Sequence, residues 1–524
     1  MPIVQAGSLN TTALVVPDLY VQIVPPQNLV LNGVPTNVIG VVGSGSWGPV
    51  NQPVIVATMA DYARAFGPIQ ARRFDMGTQV ATAVQQGAQS FRCVRVTDGS
   101  EMAASYAIAY ANGGYPVLLT ARYAGSLGNS VGLTLGAGSA AGTWRLTLGL
   151  AGQVAESFDN LAAPTPAAFW ANLVNAVNQG IGALRGPSQL CVASLGQMTE
   201  TQPAGLSAQS LLNGADGAAG VGAQTLVGQD GLPRQGMYAL RGQACSLMLL
   251  ADADDPGTWV VQAGFAVQEG LYAVLTGPAG QGIPAAVVAK QAVGLDSYSA
   301  KLMFGDWVYW SDPVGGVIRL VSPQGFVAGR LANLSPEQSS LNKPLYGVVG
   351  TQRAGVPGSA QSSGYSTAEL TALLGSGLDV IANPQPAGSF WGVRGGHNSS
   401  SNAATNGDNY TRLTNFIAQT LSAGMGQYVG QVISSGLFRR IRSTQLSFLQ
   451  ALLGQGILGT TDGAQPFTVI CDASNNPVSR TSLGYVQSDA QIQYQAINER
   501  FIVNLEGGQT VQVTRQTLPA GQIN

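Results

Sequence analysis

Residues 37–56, Asn37-Val38-Ile39-Gly40-Val41-Val42-Gly43-Ser44-Gly45-Ser46-Trp47-Gly48-Pro49-Val50-Asn51-Gln52-Pro53-Val54-Ile55-Val56, decide the fold class. Val38–Val42 is a short apolar run bounded by glycine, suited to a strand buried on both faces. Val54–Val56 is a second such run. The next residues change period: Met59–Phe66 predicts a short helix closed by Gly67 and Pro68, and Asp75–Gln86 a second helix with Asp75 as N-cap and Gly87 just past its end. Phe91–Val96 returns to strand. The order β-β-α-α-β predicts an α/β layer.

The same alternation resumes downstream. Strands are predicted at Cys245–Leu250, Leu271–Thr276, Trp307–Trp310, Val317–Val321, Leu378–Ile381, Phe390–Val393 and Phe467–Cys471. Helices are predicted at Thr258–Glu269, Phe326–Asn333, Thr367–Leu374, Tyr410–Ser422 and Leu437–Leu453. Residues 101–230 differ, being rich in Gly, Ala, Ser and Thr. Val117–Thr120, Val131–Leu135 and Trp144–Leu148 predict strands there, and Thr165-Pro166 opens a helix ending near Gly180. This stretch is expected to be an insertion of one or two small domains.

Both ends look like arms. Residues 1–36 are apolar but broken by Pro17, Pro25, Pro26 and Pro35, which forbid a continuous helix. Between the prolines, Leu19, Tyr20, Val21, Ile23 and Val24 make a strand-like run with little nearby to pair with, as expected of a strand added to another chain's sheet. At the other end, Phe501, Ile502, Val503 and Leu505, then Val511 and Val513, are strand-like ahead of a polar tail.

Composition narrows the function. Charged residues are 10% of the 524, against about 25% in a typical domain. Such a chain either covers itself with neutral polar residues or buries surface against partners, and both remain open. The net charge of −2 gives no field for nucleic acid or anionic lipid. The cluster Arg439, Arg440 and Arg442 reads as a solvated helix face or an interface. No apolar run reaches 18 residues, so no membrane span is expected, and no secretory signal is expected at the N-terminus. Cys93, Cys191, Cys245 and Cys471 lie far apart, as buried reduced thiols would.

Catalytic candidates fail their spacing tests. Gly43-Ser44-Gly45-Ser46-Trp47-Gly48 spells the dinucleotide fingerprint after a strand, but Pro49–Pro53 cannot supply the helix that binds pyrophosphate, so a turn is expected. Asp252, Asp254 and Asp255 are placed as in a calcium loop with Gly257 sixth, yet the twelfth position is Ala263 and not Glu. A loop leading into the next helix is expected instead. His397, the only histidine, falls in a polar loop, Gly395–Asn409, and is expected to be exposed. There is no phosphate loop, and Lys290, Lys301 and Lys343 are the only lysines. No catalytic, cofactor or metal site is expected; a nucleotide enzyme built on residues 43–48 is the weaker alternative.

Several segments, in order, resemble tail sheath proteins of contractile bacteriophage tails and related particles. Pro17–Pro25 is similar to the family's P-G-V-Y-V-E-E arm. Gly33-Val34-Pro35-Thr36 and Gly48–Pro53 resemble its G-V-P-T and G-P-x-N-x-P signatures, and Asp61–Gly67 and Phe91–Val96 the helix and strand that follow. Val321-Ser322-Pro323-Gln324-Gly325-Phe326-Val327-Ala328-Gly329 is similar to P-P-S-G-x-V-A-G, with Ser322 and Gln324 departing. Phe390–Arg394 resembles V-W-G-A-R-T, with Gly395 departing.

The resemblance implies a mixed α/β, multidomain fold. N-terminal arm 1–36 and core part 37–100 would precede an inserted β-rich region, 101–230. Core part 231–500, including a C-terminal sheath domain, and a C-terminal strand and arm, 501–524, would follow. It implies a virion tail subunit assembled in the host cytoplasm, polymerising as stacked six-membered rings around a tail tube protein, with baseplate and tail terminator proteins as further partners. The sheath would contract to drive the tube through the host envelope during genome delivery. Other self-assembling proteins (tail tube, capsid, or a type VI-like sheath) are the alternatives.

Overall fold

The computed structural model describes residues 3–4, 21–22, 31–108, 113–182, 185–359, 364–503 and 505. Its centre is a seven-stranded sheet in the order Leu378–Asp379, Ala300–Met303, Tyr272–Thr276, Leu247–Leu250, Ile39–Gly43, Phe91–Arg95, Pro53–Val56. Neighbours are parallel except the last pair. Residues before 100 and after 245 therefore build one sheet, and the expected mixed α/β class holds.

The continuous apolar runs are explained by burial on both faces. Val38, Val42, Met248, Leu250, Ala273 and Leu275 enter one apolar cluster, with the helix Trp259–Glu269 over it. Ile39, Val41, Leu247, Leu249, Tyr272 and Val274 enter the other, under the helices Met59–Phe66, Met76–Gln85 and Gln324–Ala332. Asp75 caps its helix through the Thr78 amide at 2.8 Å, and Gly87 follows it at φ +96°.

Gly325 and Gly329 let two of those helices touch. A Cβ at Gly329 would lie 2.5 Å from the Ala83 Cα, and one at Gly325 2.1 Å from the Thr82 Oγ1. This crossing gives a physical reason for the Gly325-Phe326-Val327-Ala328-Gly329 segment.

Residues between Ala104 and Leu211 share one apolar cluster of their own, fed by the sheets Glu156–Leu161/Trp144–Gly149/Gly132–Ala137/Leu206–Ser210 and Cys191–Leu195/Val117–Ala121/Ser105–Ile108, and by the helix Pro166–Gln179. Two residues of the opening stretch fasten it to the central sheet. Trp47 inserts into its cluster and meets Tyr123 edge to face. Arg95, fully buried, donates to the carbonyls of Gly48 (2.9 Å), Ala124 (2.6 Å) and Asp216 (3.0 Å). Residues 221–240 return to the central clusters: Val221, Leu226, Met237 and Leu240 pack under the sheet.

A last lobe holds the helices Asp408–Met425 and Ser435–Gly454 and the antiparallel pair Phe467–Ile470 and Asp489–Ile492. Its apolar cluster includes Leu31 from the other end of the chain. A Cβ at Gly33 would lie 2.6 Å from the Phe416 ring, and the Val34 amide donates to Thr420 Oγ1 at 3.1 Å. Residues 31–34 are thus laid across the Asp408–Met425 helix.

Candidate assembly interface

The pair Phe467–Ile470 and Asp489–Ile492 is a sheet of only two strands, in register from Phe467↔Ile492 to Ile470↔Asp489. Phe467 and Val469 point into the lobe, Thr468 and Ile470 outward. Both outer edges are unpaired among the described residues. Two strands alone are marginal in water, and open edges offer a row of free N–H and C=O groups to another strand.

The chain after Ile492 is strapped to the start of the Asp408–Met425 helix. Thr414 Oγ1 donates to the Tyr494 hydroxyl at 3.1 Å, and Asn409 Nδ2 to the Gln495 carbonyl at 3.2 Å. His397 Nε2 lies 2.8 Å from Glu499 Oε1. Phe501, Ile502, Val503 and Leu505 are 82%, 78%, 69% and 91% exposed and form no strand. Water-exposed aromatic and β-branched side chains in a row mark an interaction segment. Full burial of each stabilises by about 1.5–3 kcal/mol.

Of the other residues expected in the arms, Leu19, Tyr20, Ile23, Val24, Val511 and Val513 lie outside the described residues. Val21 is in the strand Val21–Gln22, which pairs in parallel with Ile3–Val4. The N-terminal strand therefore has a local partner, over two residues only.

The segment after Val393 corrects the sequence reading. It was expected to be a polar loop carrying an exposed histidine, yet Asn398 and Ser399 are buried and the His397 side chain is 19% exposed. The cause is Asp379. Its Oδ1 accepts from the amides of Val380 (2.8 Å) and Gly395 (2.7 Å), and its Oδ2 from Gly396 (2.8 Å), His397 (3.3 Å) and Lys301 Nζ (2.6 Å). Lys301 Nζ also reaches Asp408 Oδ1 at 3.0 Å and the His397 carbonyl at 2.9 Å. Asp408, at the start of the long helix, accepts further bonds from Tyr272 (2.6 Å) and from the Ser340 amide (3.1 Å) and hydroxyl. Burial disfavours the Lys301 ammonium, but Asp379 and Asp408 outweigh it and raise its pKa. Burial alone would raise the Asp408 carboxyl; Lys301, Ser340 and Tyr272 hold it below the usual carboxylate range. A lysine inside the apolar run Ala300–Met303 was the one available signal, because buried lysines are almost always paired.

The motifs that mimic chemistry are filled by protein. A Cβ at Gly43 would lie 2.8 Å from Met76 Cβ, so residues 43–48 make a turn packed on the next helix. Asp252 accepts from Gln79 Nε2 at 2.9 Å and the Phe74 amide at 3.1 Å, Asp254 pairs with Arg73, and Asp255 caps the turn at Gly257 (3.0 Å). Their carboxylates face three different partners. The four cysteines are free and buried, and no described helix is long and apolar enough to cross a membrane.

No protein-family model matches the sequence, and no curated protein matches it. Solved structures do. A sheath tail protein of Listeria innocua superposes with a TM-score of 0.60 at 15% identity, over 84% of this chain and 89% of the other. A sheath tail protein of Desulfitobacterium hafniense gives 0.56 at 14%, over 86% and 92%. The sheath of an extracellular contractile injection system (PVC), in its contracted state, gives 0.53 at 12%, over 95% and 99%. The fold is that of contractile sheath proteins, over nearly the whole of each chain compared.

Proposed function

We propose that this chain is the structural subunit of a contractile sheath and not an enzyme. It polymerises with copies of itself as stacked six-membered rings around a tail tube protein. Baseplate and tail terminator proteins bound the polymer, which assembles in the host cytoplasm as part of a virion tail. Contraction then drives the tube through the host envelope to deliver a genome. The observation that carries the reading is the exposed segment Phe501–Leu505 leaving the same lobe that holds an open-edged two-stranded sheet, in a fold matched by sheath proteins over 84–95% of this chain.

In the assembly, residues 19–24 and 501–513 add strands to the Phe467–Ile470/Asp489–Ile492 pair of neighbouring copies. Main-chain hydrogen bonds supply most of that affinity and alternate side chains its register. Such joints persist while rigid bodies rotate, and the extended state stores its energy behind a kinetic barrier. A second reading, the sheath of a tail-like injection particle, is favoured by the match over 95% of this chain to the PVC sheath; DNA in purified particles separates the two.

The test is negative-stain microscopy of the purified protein. The full chain is expected to form long tubes; deletion of 1–24 or of 501–524 abolishes them and leaves the thermal unfolding of the body unchanged. Tubes from the doubly truncated chain overturn the reading.

A further inference from the structure

A cavity of about 610 Å³ opens between the helix Thr367–Gly375 and the segment 394–406. Lys290, Arg394, Arg500 and His397 line it, and no aspartate or glutamate does. That is unusual in a chain with 24 Lys and Arg against 26 Asp and Glu, of which only three are lysines.

The site is built rather than incidental. Lys290 is 9% exposed, and its Nζ donates a single bond, to the Ser399 carbonyl at 3.1 Å, leaving two of its three hydrogens. Gly377 makes room for it: at φ +69°, a Cβ there would lie 2.8 Å from Nζ. Arg394 and Arg500 have no ion pair or side-chain hydrogen bond among the described residues. Two carboxylates, Asp296 near Lys290 and Glu499 on His397, stand just outside the lining. Asp296 accepts from the amide and hydroxyl of Ser401 at 2.9 and 2.5 Å, and Glu499 meets His397. The hydroxyls of Thr371 and Ser376 donate to the carbonyls of Thr367 (2.8 Å) and Ala372 (2.7 Å) within their own helix, so the three cationic side chains are the donors, and Leu370 and Leu374 form an apolar wall.

We infer that this cavity binds a polyanion of linked phosphoryl groups. Two guanidinium forks and a nearly buried ammonium, with no carboxylate in the lining itself, match several adjacent oxyanions better than a single carboxylate. The volume admits a chain of phosphoryl groups with bridging water. Arg500 is the last residue before the exposed segment, so the ligand ties the root of that segment to the body. The inference does not depend on the sheath reading.

Isothermal titration of the full chain with sodium tripolyphosphate, in phosphate-free buffer, tests it. Saturable one-site binding is expected, weakened roughly tenfold in Arg394→Gln and in Arg500→Gln by the loss of one charge-assisted contact each. The control Arg439→Gln/Arg440→Gln, on an exposed helix face, keeps the affinity. Adenosine triphosphate is titrated in parallel: equal affinity assigns a free inorganic polyanion, and tighter nucleotide binding assigns the base to the Leu370/Leu374 wall. Arg500 is exposed, so its variant keeps the fold. Absence of saturable binding, or equal weakening in the control, overturns the inference.

Discussion

Replacing Lys301 by Met removes the ammonium that bridges Asp379 and Asp408, leaving the Arg412 guanidinium as the further charge acting on Asp408. Lys301 is fully buried and its nitrogen lies 2.6 Å from one carboxylate and 3.0 Å from the other. The two carboxylates are therefore within about 6 Å of each other, the range in which like charges push a pKa up. Breaking a buried pair costs about 3–5 kcal/mol, because a charge is left without compensation. The low end applies here: Asp379 keeps four backbone amides and Asp408 keeps Tyr272 and Ser340. The sign with pH follows from linkage. In the wild type, Asp408 titrates below its unfolded value, so its contribution is present above about pH 4 and is lost as pH falls through the lower folded value. Lys301 titrates above its unfolded value, so its contribution is present below about pH 10 and is lost only as pH rises through the higher folded one. The cluster is thus flat between. In Lys301→Met the Asp408 carboxylate, no longer held down by the ammonium, takes up a proton more readily, so the deficit relative to wild type shrinks from pH 7 to pH 5. Urea denaturation followed by tryptophan fluorescence, at both pH values, reads the difference, with Lys301→Met/Asp408→Asn expected to recover part of it. A loss under about 1 kcal/mol, or a deficit unchanged at pH 5, refutes the account.

Glycine-to-alanine exchanges in two helices should have opposite signs. Gly329→Ala gains up to about 1 kcal/mol of helix propensity, but its Cβ meets the Ala83 backbone at 2.5 Å, and overpacking of about 1–3 kcal/mol wins. Gly264→Ala, exposed and with nothing within 4 Å of its Cβ, should stabilise; thermal denaturation of the pair checks both. Burial raises the Asp75 carboxyl to about 6 even though Thr78 bonds it. A folded value above the unfolded one means that stability from this group is present below about pH 4 and lost as pH rises through 6, a change of about 2–3 kcal/mol. Asp75→Asn, which still caps the helix, should lack that slope between pH 4 and 7; an unchanged slope in denaturation curves counts against it.

Most of the central sheet was legible because burial on both faces leaves continuous apolar runs such as Val38–Val42 and Leu247–Leu250, whereas Ala300–Met303, broken by Lys301, was missed. Helix punctuation was equally plain at Asp75, Thr165 and Gly180. Strands with one solvated face and small or polar residues were not legible: Ser105–Ile108, Leu206–Ser210 and Asp489–Ile492 carry few β-branched side chains. The helix Ile283–Ala292 was also missed, its apolar residues being spread around the axis with only Ala286 and Lys290 buried. Of the proposed assembly surface, the apolar segment from Phe501 stood out by residue type, whereas the strand pair proposed to receive it did not, since half of that pair reads Asp489-Ala490-Gln491-Ile492. Lys301 was noted only as one of three lysines; its two carboxylate partners lie 78 and 107 residues away.

The two ends of the chain meet the body on the same helix. Leu31 and Val34 pack along Asp408–Met425 from one side, with Gly33 against Phe416. Tyr494 and Gln495 bond its first turns at Thr414 and Asn409 from the other. The same helix begins at Asp408, which Lys301 and Tyr272 hold to the central parallel sheet. A pull on either arm is therefore delivered to one helix, and from it, through a buried ion cluster, to the most extensively paired sheet of the molecule. Under the proposed function, strand addition at the arms would resist separation through many main-chain bonds while leaving side-chain packing free to change. In the proposed sheath, force from a neighbour would then turn the body as a unit instead of unravelling its lobe, provided the Asp408–Lys301 junction is stronger than the exchanged strand. In that arrangement Lys301→Met should yield tubes that assemble, because the arms are intact, yet break on contraction at the junction between the lobe and the sheet.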